Sequence, residues 1–395
     1  PNTEYSHTVH GRTETGAEVL SHTVMVTTAE LPQELQDNVS VAITEERDLD
    51  RPGFFITNIR EAAINAYFSV AYDMDGNIRW YKEWDLVGGD LNLQFNGNYT
   101  AFIGTTTGFT NRYGYYAEFT PGGEFVRRYQ APVPFYTDNH EIILTGDPDF
   151  PDAHIMSYDI RILDLTDRGG PSDARVAGHQ ILRINSAGFV EFMWNIWDHF
   201  SLDNWVEGRQ PEDCDECDID HPNSLALDVD GNYIMSIRNF NEVTKINSMT
   251  GEVMWRLGGL SNEFTFVDDP ENGFSGQHYA RILPNGRLLL YDNGISRNPQ
   301  GTRMVEYDLD TTAMTATMVW EYWSPEPRFT RGLGSVQRLE TGHTFVGYGG
   351  LGIATEVGLT GERVWEAAIT INNAPAFRSY RLVWIDSLYE SQTFP

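Results

Sequence analysis

Lysine is nearly missing from this chain. Only Lys82 and Lys245 occur among its 395 residues, against 25 arginines. Acidic residues so outnumber basic ones that the formal net charge is −30. A surface of that sign repels phosphate backbones and anionic lipid, which disfavours nucleic acid and anionic membranes as partners, and neither is expected. It suits a high-salt or extracellular setting, or reflects genomic base composition. No apolar run approaches ~18 residues, so no membrane span is expected. Cysteine is equally scarce: Cys214 and Cys217 are the only two. They stand in Asp213-Cys214-Asp215-Glu216-Cys217-Asp218. The pair reads as a small loop disulfide of an exported protein, or as part of a zinc site that His221 would bring only to three ligands. Long helical periodicity is absent. So are a phosphate-cradling P-loop, a dinucleotide fingerprint and a Gly-x-Ser-x-Gly elbow, which leaves no sign of a nucleotide-bound donor or a serine hydrolase. No metal or cofactor is expected. The chain opens on Pro1, not Met, and is expected to be a processed or trimmed product from which any signal peptide has gone.

Aromatic and β-forming residues are abundant. Aromatics make up 13% of the chain, with 10 Trp, 19 Tyr and 21 Phe, enough for a large core and incompatible with a disordered chain. β-Branched and aromatic residues alternate with polar ones, punctuated by Gly, Asn and Asp. The expected class is all-β.

One unit recurs: an apolar strand, a turn with Gly, then a strand that often ends in Trp. Copies span residues 70–80, 116–126, 181–194, 245–255, 305–320 and 356–365. Their turn-side positions are Asp73, Thr120, Asn185, Asn247, Asp308 and Gly358. Between copies lies a second hairpin, as in residues 221–236 and 278–290, with Asp230-Gly231 and Asn285-Gly286 reading as type I′ turns. Asp228-Val229-Asp230-Gly231-Asn232 reads as a turn; a calcium loop would need a distal Glu that is missing. Two hairpins per unit make four strands, and four strands at this spacing make a propeller blade. Six copies predict a six-bladed β-propeller over residues 46–395. Residues 1–45 fall outside the repeat and are expected to form a short N-terminal β extension, an arm that closes the ring or pairs with another chain in a homo-oligomer or assembly.

The repeat also aligns polar residues. Of ten histidines, His140, His221 and His278 open the equivalent hairpin in successive units. Strand starts nearest a propeller axis converge at one mouth of the channel, so three imidazoles are expected to meet there. Arg238, on the return strand of the His221 hairpin, points to the same mouth. The remaining seven histidines, His7, His10, His22, His154, His179, His199 and His343, do not share that register and are expected to be structural or solvated. Three His alone could bind a metal, but an adjacent Arg opposes a dication. Arg instead suits a tetrahedral oxyanion, held by forked charge-assisted bonds. A neutral His can then attack sulfur or phosphorus while another moves protons.

At these residues the chain resembles the arylsulfate sulfotransferase family, propeller enzymes independent of the nucleotide sulfate donor. The resembling motifs are His140-Glu141, Asp220-His221-Pro222-Asn223-Ser224, Ser236-Ile237-Arg238, residues 251–259, Gly276-Gln277-His278, Asp292-Asn293-Gly294 and Ser379-Tyr380-Arg381. The resemblance implies a six-bladed propeller with its site at the central channel. It implies that His278 is a nucleophile that becomes a transient sulfohistidine, and that His140, His221 and Arg238 hold the sulfuryl group and manage protons. Asn223, Gln277 and Asn293 would bind substrate. The expected reaction moves a sulfuryl group from an aryl sulfate to a phenol, in a secreted, periplasmic or cell-surface protein. Two other readings stand beside it. One is a non-catalytic binding or assembly propeller, which has no need of the full His140/His221/Arg238/His278 set. The other is a lyase or hydrolase of acidic polysaccharide, which the charge of −30 disfavours.

Overall fold

In the computed structural model the described residues are 30–45, 53–61, 66–105, 113–206, 212, 214, 216–371 and 381–388, together with four short strands before residue 30. Six sheets of four or five strands carry the chain from residue 54 onward. Blade 2 shows the plan: Val87–Leu93, Tyr99–Gly104, Gly114–Phe119 and Phe125–Tyr129 pair in sequence order, antiparallel throughout. Blades 3 to 6 begin at Tyr136, Pro222, His278 and Ser335 and repeat it. Their first strands touch one another around the axis. Blade 1 is built from both ends of the chain. Its three outer strands are Phe54–Glu61, Ala66–Asp73 and Ile78–Trp84, and its first strand is the distant Leu382–Ile385. That pairing closes the ring and removes two exposed sheet edges.

Each of the six repeat copies is the outer hairpin of one blade, and each second hairpin is the inner one. Second strands are buried on both faces, as in Tyr99–Gly104, where every residue is buried. The outer strand Phe125–Tyr129 mostly faces solvent. The core is divided into six slabs, each between neighbouring blades. A single blade would leave both its slabs open, so only the closed ring buries them.

Two local readings are corrected. Asp230-Gly231 and Asn285-Gly286 do not form type I′ turns. Only Gly231 (φ 77°) and Gly286 (φ 84°) are left-handed, whereas a I′ turn needs both central residues there. Gly231 N–H donates to Asp228 O and Asp228 N–H to Asn232 O, which makes a longer loop with a bulge. Where a cation would sit, Lys245 Nζ binds Asp228 and Asp230 at 2.6 Å each. In blade 5, Asp308 lies inside the strand Arg303–Asp310; the turn starts at Asp310, whose carboxylate accepts from Thr312 and Ala313 N–H.

Five strands are described before residue 46. Glu4–His7 pairs with Val24–Thr27, and His10–Arg12 with Glu18–Leu20. After the one-and-a-half-turn helix Gln33–Asn38, Val39–Glu45 becomes a fifth strand on the outer edge of blade 6. No helix among the described residues is long and apolar enough to cross a membrane.

Candidate active site

The first strand of blade 3, Tyr136–Gly146, leaves its ladder between Thr137 and Ile142. That irregularity takes Asp138 to Glu141 out of the ladder, which lets His140 turn toward His221. His221 immediately precedes blade 4's first strand, at φ +47°, and His278 is the first residue of blade 5's. Arg238 opens a short 3-10 turn at the end of blade 4's second strand. The aligned register therefore puts all four at one end of the ring. The His140 and His221 rings meet edge to face, with centroids 4.9 Å apart. Arg238, His221 and His140 are all close enough for their charges to act on His278.

The three imidazoles differ in what backs them. His140 Nδ1 lies 2.8 and 2.9 Å from the two Asp138 oxygens, and His221 Nδ1 lies 2.8 Å from Asp218 Oδ2. A carboxylate at Nδ1 fixes the tautomer and leaves Nε2 as the working nitrogen. His278 Nδ1 instead meets two neutral oxygens, Gly276 O at 3.0 Å and Asn293 Oδ1 at 2.8 Å. Both only accept, so Nδ1 carries the proton and Nε2 the lone pair. Leu333 N–H donates to that lone pair at 3.0 Å. Burial first, then the Arg238 charge, holds His278 well below the usual histidine range. Arg238 donates to Asn239 Oδ1 (2.7 Å) and to Arg331 O (3.1 Å). One loop, residues 330–334, thus touches both His278 and Arg238.

Deeper in the channel sits an ion cluster. Arg381 Nη1 lies 3.0 Å from Asp90 and 2.7 Å from Glu141, and Nη2 donates to Glu141, His140 O and Asn223 O. Arg281 binds Glu141 from the other side at 2.8 Å. Both guanidiniums lie over the Tyr279 ring.

The amides expected to meet substrate are fully buried, and their hydrogen bonds go to protein. Asn223 Nδ2 donates to Gln277 O, and Gln277 Nε2 reaches Ser236 Oγ, Ile237 O and Glu242 O. Together they lock blade 4 to blade 5. Asn293 positions His278 and donates to Thr330 O and Leu333 O, anchoring the 330–334 loop. Of the other histidines, His154 bonds Tyr233 and Thr145, His199 stacks on Trp194, and His343 pairs with Glu356. His22 and the side chains of His7 and His10 lie outside the described residues, as do Ser379 and Tyr380.

His179 departs from the structural reading. It is fully buried among Asp138, Asp218 and Asp220. Ligand-type atoms of His179, Asp218 and Asp220 lie within 4.8 Å of one another. The His179 Nδ1–Asp220 Oδ1 distance of 2.7 Å is that of a shared proton. Two ligands of a tetrahedral ion with ~2.1 Å bonds stand about 3.4 Å apart, so the cluster does not fit a metal as it stands. Register reasoning missed His179 and the three aspartates. The signal for two of them was present: Asp138 and Asp218 precede their histidines by two and three residues, whereas Gly276-Gln277 precedes His278.

Cys214 and Cys217 are disulfide-bonded, with Cα atoms 5.4 Å apart. The disulfide reading of the pair holds, and the zinc reading is set aside. The bond closes the loop before Asp218, and Glu216–Asp218 then pairs alongside residues 175–177 of the His179 strand. A cavity of about 390 Å³ lies elsewhere, lined by Gly258, Asn262, Phe264 and Phe274 among others, and includes none of the four site residues.

The sequence model of the arylsulfotransferase (ASST) family matches residues 39–381, most of the chain. The chain belongs to the arylsulfotransferase family. Membership supports an arylsulfotransferase-type function. No curated protein matches the chain. Among solved structures, a Bacteroides caccae protein of unknown function aligns with TM-score 0.50 at 13% identity, over 85% of this chain and 99% of that one. A virginiamycin B lyase from Staphylococcus aureus aligns at TM-score 0.41 and 12% identity, over 83% and 88%. At these identities the first likeness concerns the fold alone.

Proposed function

We propose that this arylsulfotransferase moves a sulfuryl group from an aryl sulfate to a phenolic acceptor through N-sulfonated His278. The observation that carries the reading is the unlike backing of the histidines. His278 has neutral partners and an uncharged ring, as a nucleophile requires. His140 and His221 have carboxylates, as acid–base groups require. Arg238 cannot lose its proton and suits the sulfuryl oxygens in ester, transition state and adduct alike.

In the first half-reaction His278 Nε2 bonds to sulfur while the S–O bond to the aryl oxygen breaks. The departing oxygen takes its proton from His140 or His221. Sulfonation at Nε2 leaves positive charge on the ring, which the Nδ1–H bonds to Gly276 O and Asn293 Oδ1 accommodate. In the second half-reaction the same acid–base histidine, now neutral, takes the acceptor phenol's proton, and the phenolic oxygen attacks sulfur as the N–S bond breaks. Before either step Leu333 N–H must release Nε2; a sulfuryl oxygen is the acceptor it can take instead. An exported setting fits the Cys214–Cys217 bond.

The test is 4-nitrophenyl sulfate turnover with and without added phenol. We expect a burst without acceptor, a sulfonate-sized mass on the peptide holding His278, and neither in His278→Ala. Full activity in His278→Ala would end the assignment.

A further inference from the structure

We infer that His179 is a positioning residue for sulfuryl transfer: one buried imidazole that holds the carboxylates behind His140 and His221 in a single array, so that the two acid–base groups are set together. The inference rests on the function proposed above, but its decisive measurement does not.

The geometry is specific. His179 lies on the third strand of blade 3, Ala174–Ile184, with its side chain wholly buried. Its Nδ1 is 2.7 Å from Asp220 Oδ1, and its own N–H donates to Asp220 Oδ2 at 3.0 Å. Asp220 Oδ1 also accepts the His221 N–H at 3.0 Å. On the other side His179 Nε2 stands 3.6 Å from Asp138 Oδ2, an ion-pair distance longer than a hydrogen bond. Asp218 Oδ1 is 3.9 Å from Nδ1. Asp138 and Asp218 are the groups at Nδ1 of His140 and His221. The ring therefore stands between two carboxylate–histidine pairs that come from different blades. Tyr158, on the adjacent strand, packs on it with centroids 4.2 Å apart and brings no charge.

Three carboxylates so close together, all buried, are tolerable only with compensating positive charge among them. Burial by itself would lower the His179 pKa, but the charges of Asp220 and Asp218, with the Asp138 carboxylate and the hydrogen bond to Asp220, outweigh it and hold it well above the usual range. Asp138 and Asp218 are held below the usual carboxylate range, where burial is outweighed by their histidines, including His179 in both cases. Asp220 is the exception: burial raises it, so it is the carboxylate that shares the His179 proton. Without the cation, the field opposing protonation of His140 and His221 is gone, and both should keep their protons to higher pH.

The experiment is a histidine-imidazole NMR titration of the whole protein, paired with rate profiles on 4-nitrophenyl sulfate. In wild type the His179 ring should stay protonated through neutral pH. In His179→Gln the midpoints of both His140 and His221 should rise together by about half a pH unit or more, as for the loss of a nearby like charge. The acid limb of kcat/KM should move with them, and kcat should fall roughly tenfold or more, as for a slight misplacement of an acid–base group. Should His179→Gln fail to fold, Asp220→Asn severs the same link and should bring His179 into its ordinary titration range. A filler that merely packs would lower thermal stability and leave both midpoints in place, and that result overturns the inference. If wild type binds but never turns over an aryl sulfate, the functional proposal falls, while the two midpoints still decide the role of His179.

Discussion

Arg381 closes the ring chemically, and its removal has a calculable cost. The residue directly precedes the C-terminal strand Leu382–Ile385, yet its guanidinium reaches blade 2 at Asp90, blade 3 at Glu141 and His140 O, and blade 4 at Asn223 O. All of these sit at 4% exposure or less, except His140 at 6%. Arg381→Met leaves Asp90 and Glu141 buried, with Arg281 the cation that remains beside them among the described residues. Breaking a buried pair from one side costs about 3–5 kcal/mol, because a charge is left behind. Unfolding entropy of ~2.1 cal/mol/K per residue over this length makes that about 4–6 °C in Tm. The cost has a pH signature. Burial would raise Glu141, but Arg281 and Arg381 together hold it below its ordinary value. A depressed carboxylate contributes stability above its unfolded pKa and loses it as pH falls through the folded one. The deficit should therefore be widest near neutrality and narrow below about pH 4.5. Adding Asp90→Asn and Glu141→Gln to the Met variant should recover most of the loss. Calorimetry across that pH range is the assay. A Tm change under about 1 °C, or a deficit that ignores pH, would refute the reasoning.

Two further outcomes are expected. Burial, with the Arg183 charge adding to it, lowers His154 to about 4, so the unfolded ring protonates first on acidification; the fold should lose about 3 kcal/mol between pH ~6.5 and ~4, and His154→Gln should lose less. Equal denaturant-midpoint losses in the two proteins would dismiss that account. Replacing Cys214 and Cys217 by Ser opens a four-residue ring worth about 2 kcal/mol of chain entropy and loosens Asp218 behind His221. Thermal melts and turnover with and without reductant read this, and reduction that changes neither would contradict it.

The blades were legible because each is a run of consecutive hairpins, so pairing and turn signals lie close together in sequence. Their polar register was legible for the same reason, and it led to His140, His221, His278 and Arg238. Contacts made across the ring were not. Leu382–Ile385 pairs with a strand more than three hundred residues away, and no local pattern marks it. Nor does spacing reveal that Arg381 reaches three other blades. His179 escapes the register because it lies on a third strand, yet the neighbouring blade's entry loop lays Asp218 and Asp220 against it. The Asp-Gly and Asn-Gly pairs marked the right places but not the loop length, which depends on the strands that flank them.

The unlike backing of the histidines can be inverted by one atom. Asn293 Oδ1 accepts the His278 Nδ1 proton without adding charge. Asn293→Asp keeps the shape and puts a carboxylate there, making His278 resemble His140 and His221. An opposite charge at that distance raises a histidine by about 1–3 pKa units. Raising the pKa means that the lone pair at Nε2 is lost at higher pH, so the acid limb of the burst rate should move up. A confounding effect follows from the other amide atom. Asn293 Nδ2 donates to Thr330 O and Leu333 O, and an aspartate oxygen cannot, so the 330–334 loop is loosened as well. Asn293→Ala loses those bonds without adding charge and isolates this effect. If neutral backing is what makes His278 the nucleophile, Asn293→Asp shifts the limb upward and Asn293→Ala does not, even where both are slow. Superimposable pH profiles for the two variants would mean that Asn293 serves the loop alone, and that the charge at this position does not govern the nucleophile's pKa, which burial and Arg238 hold low.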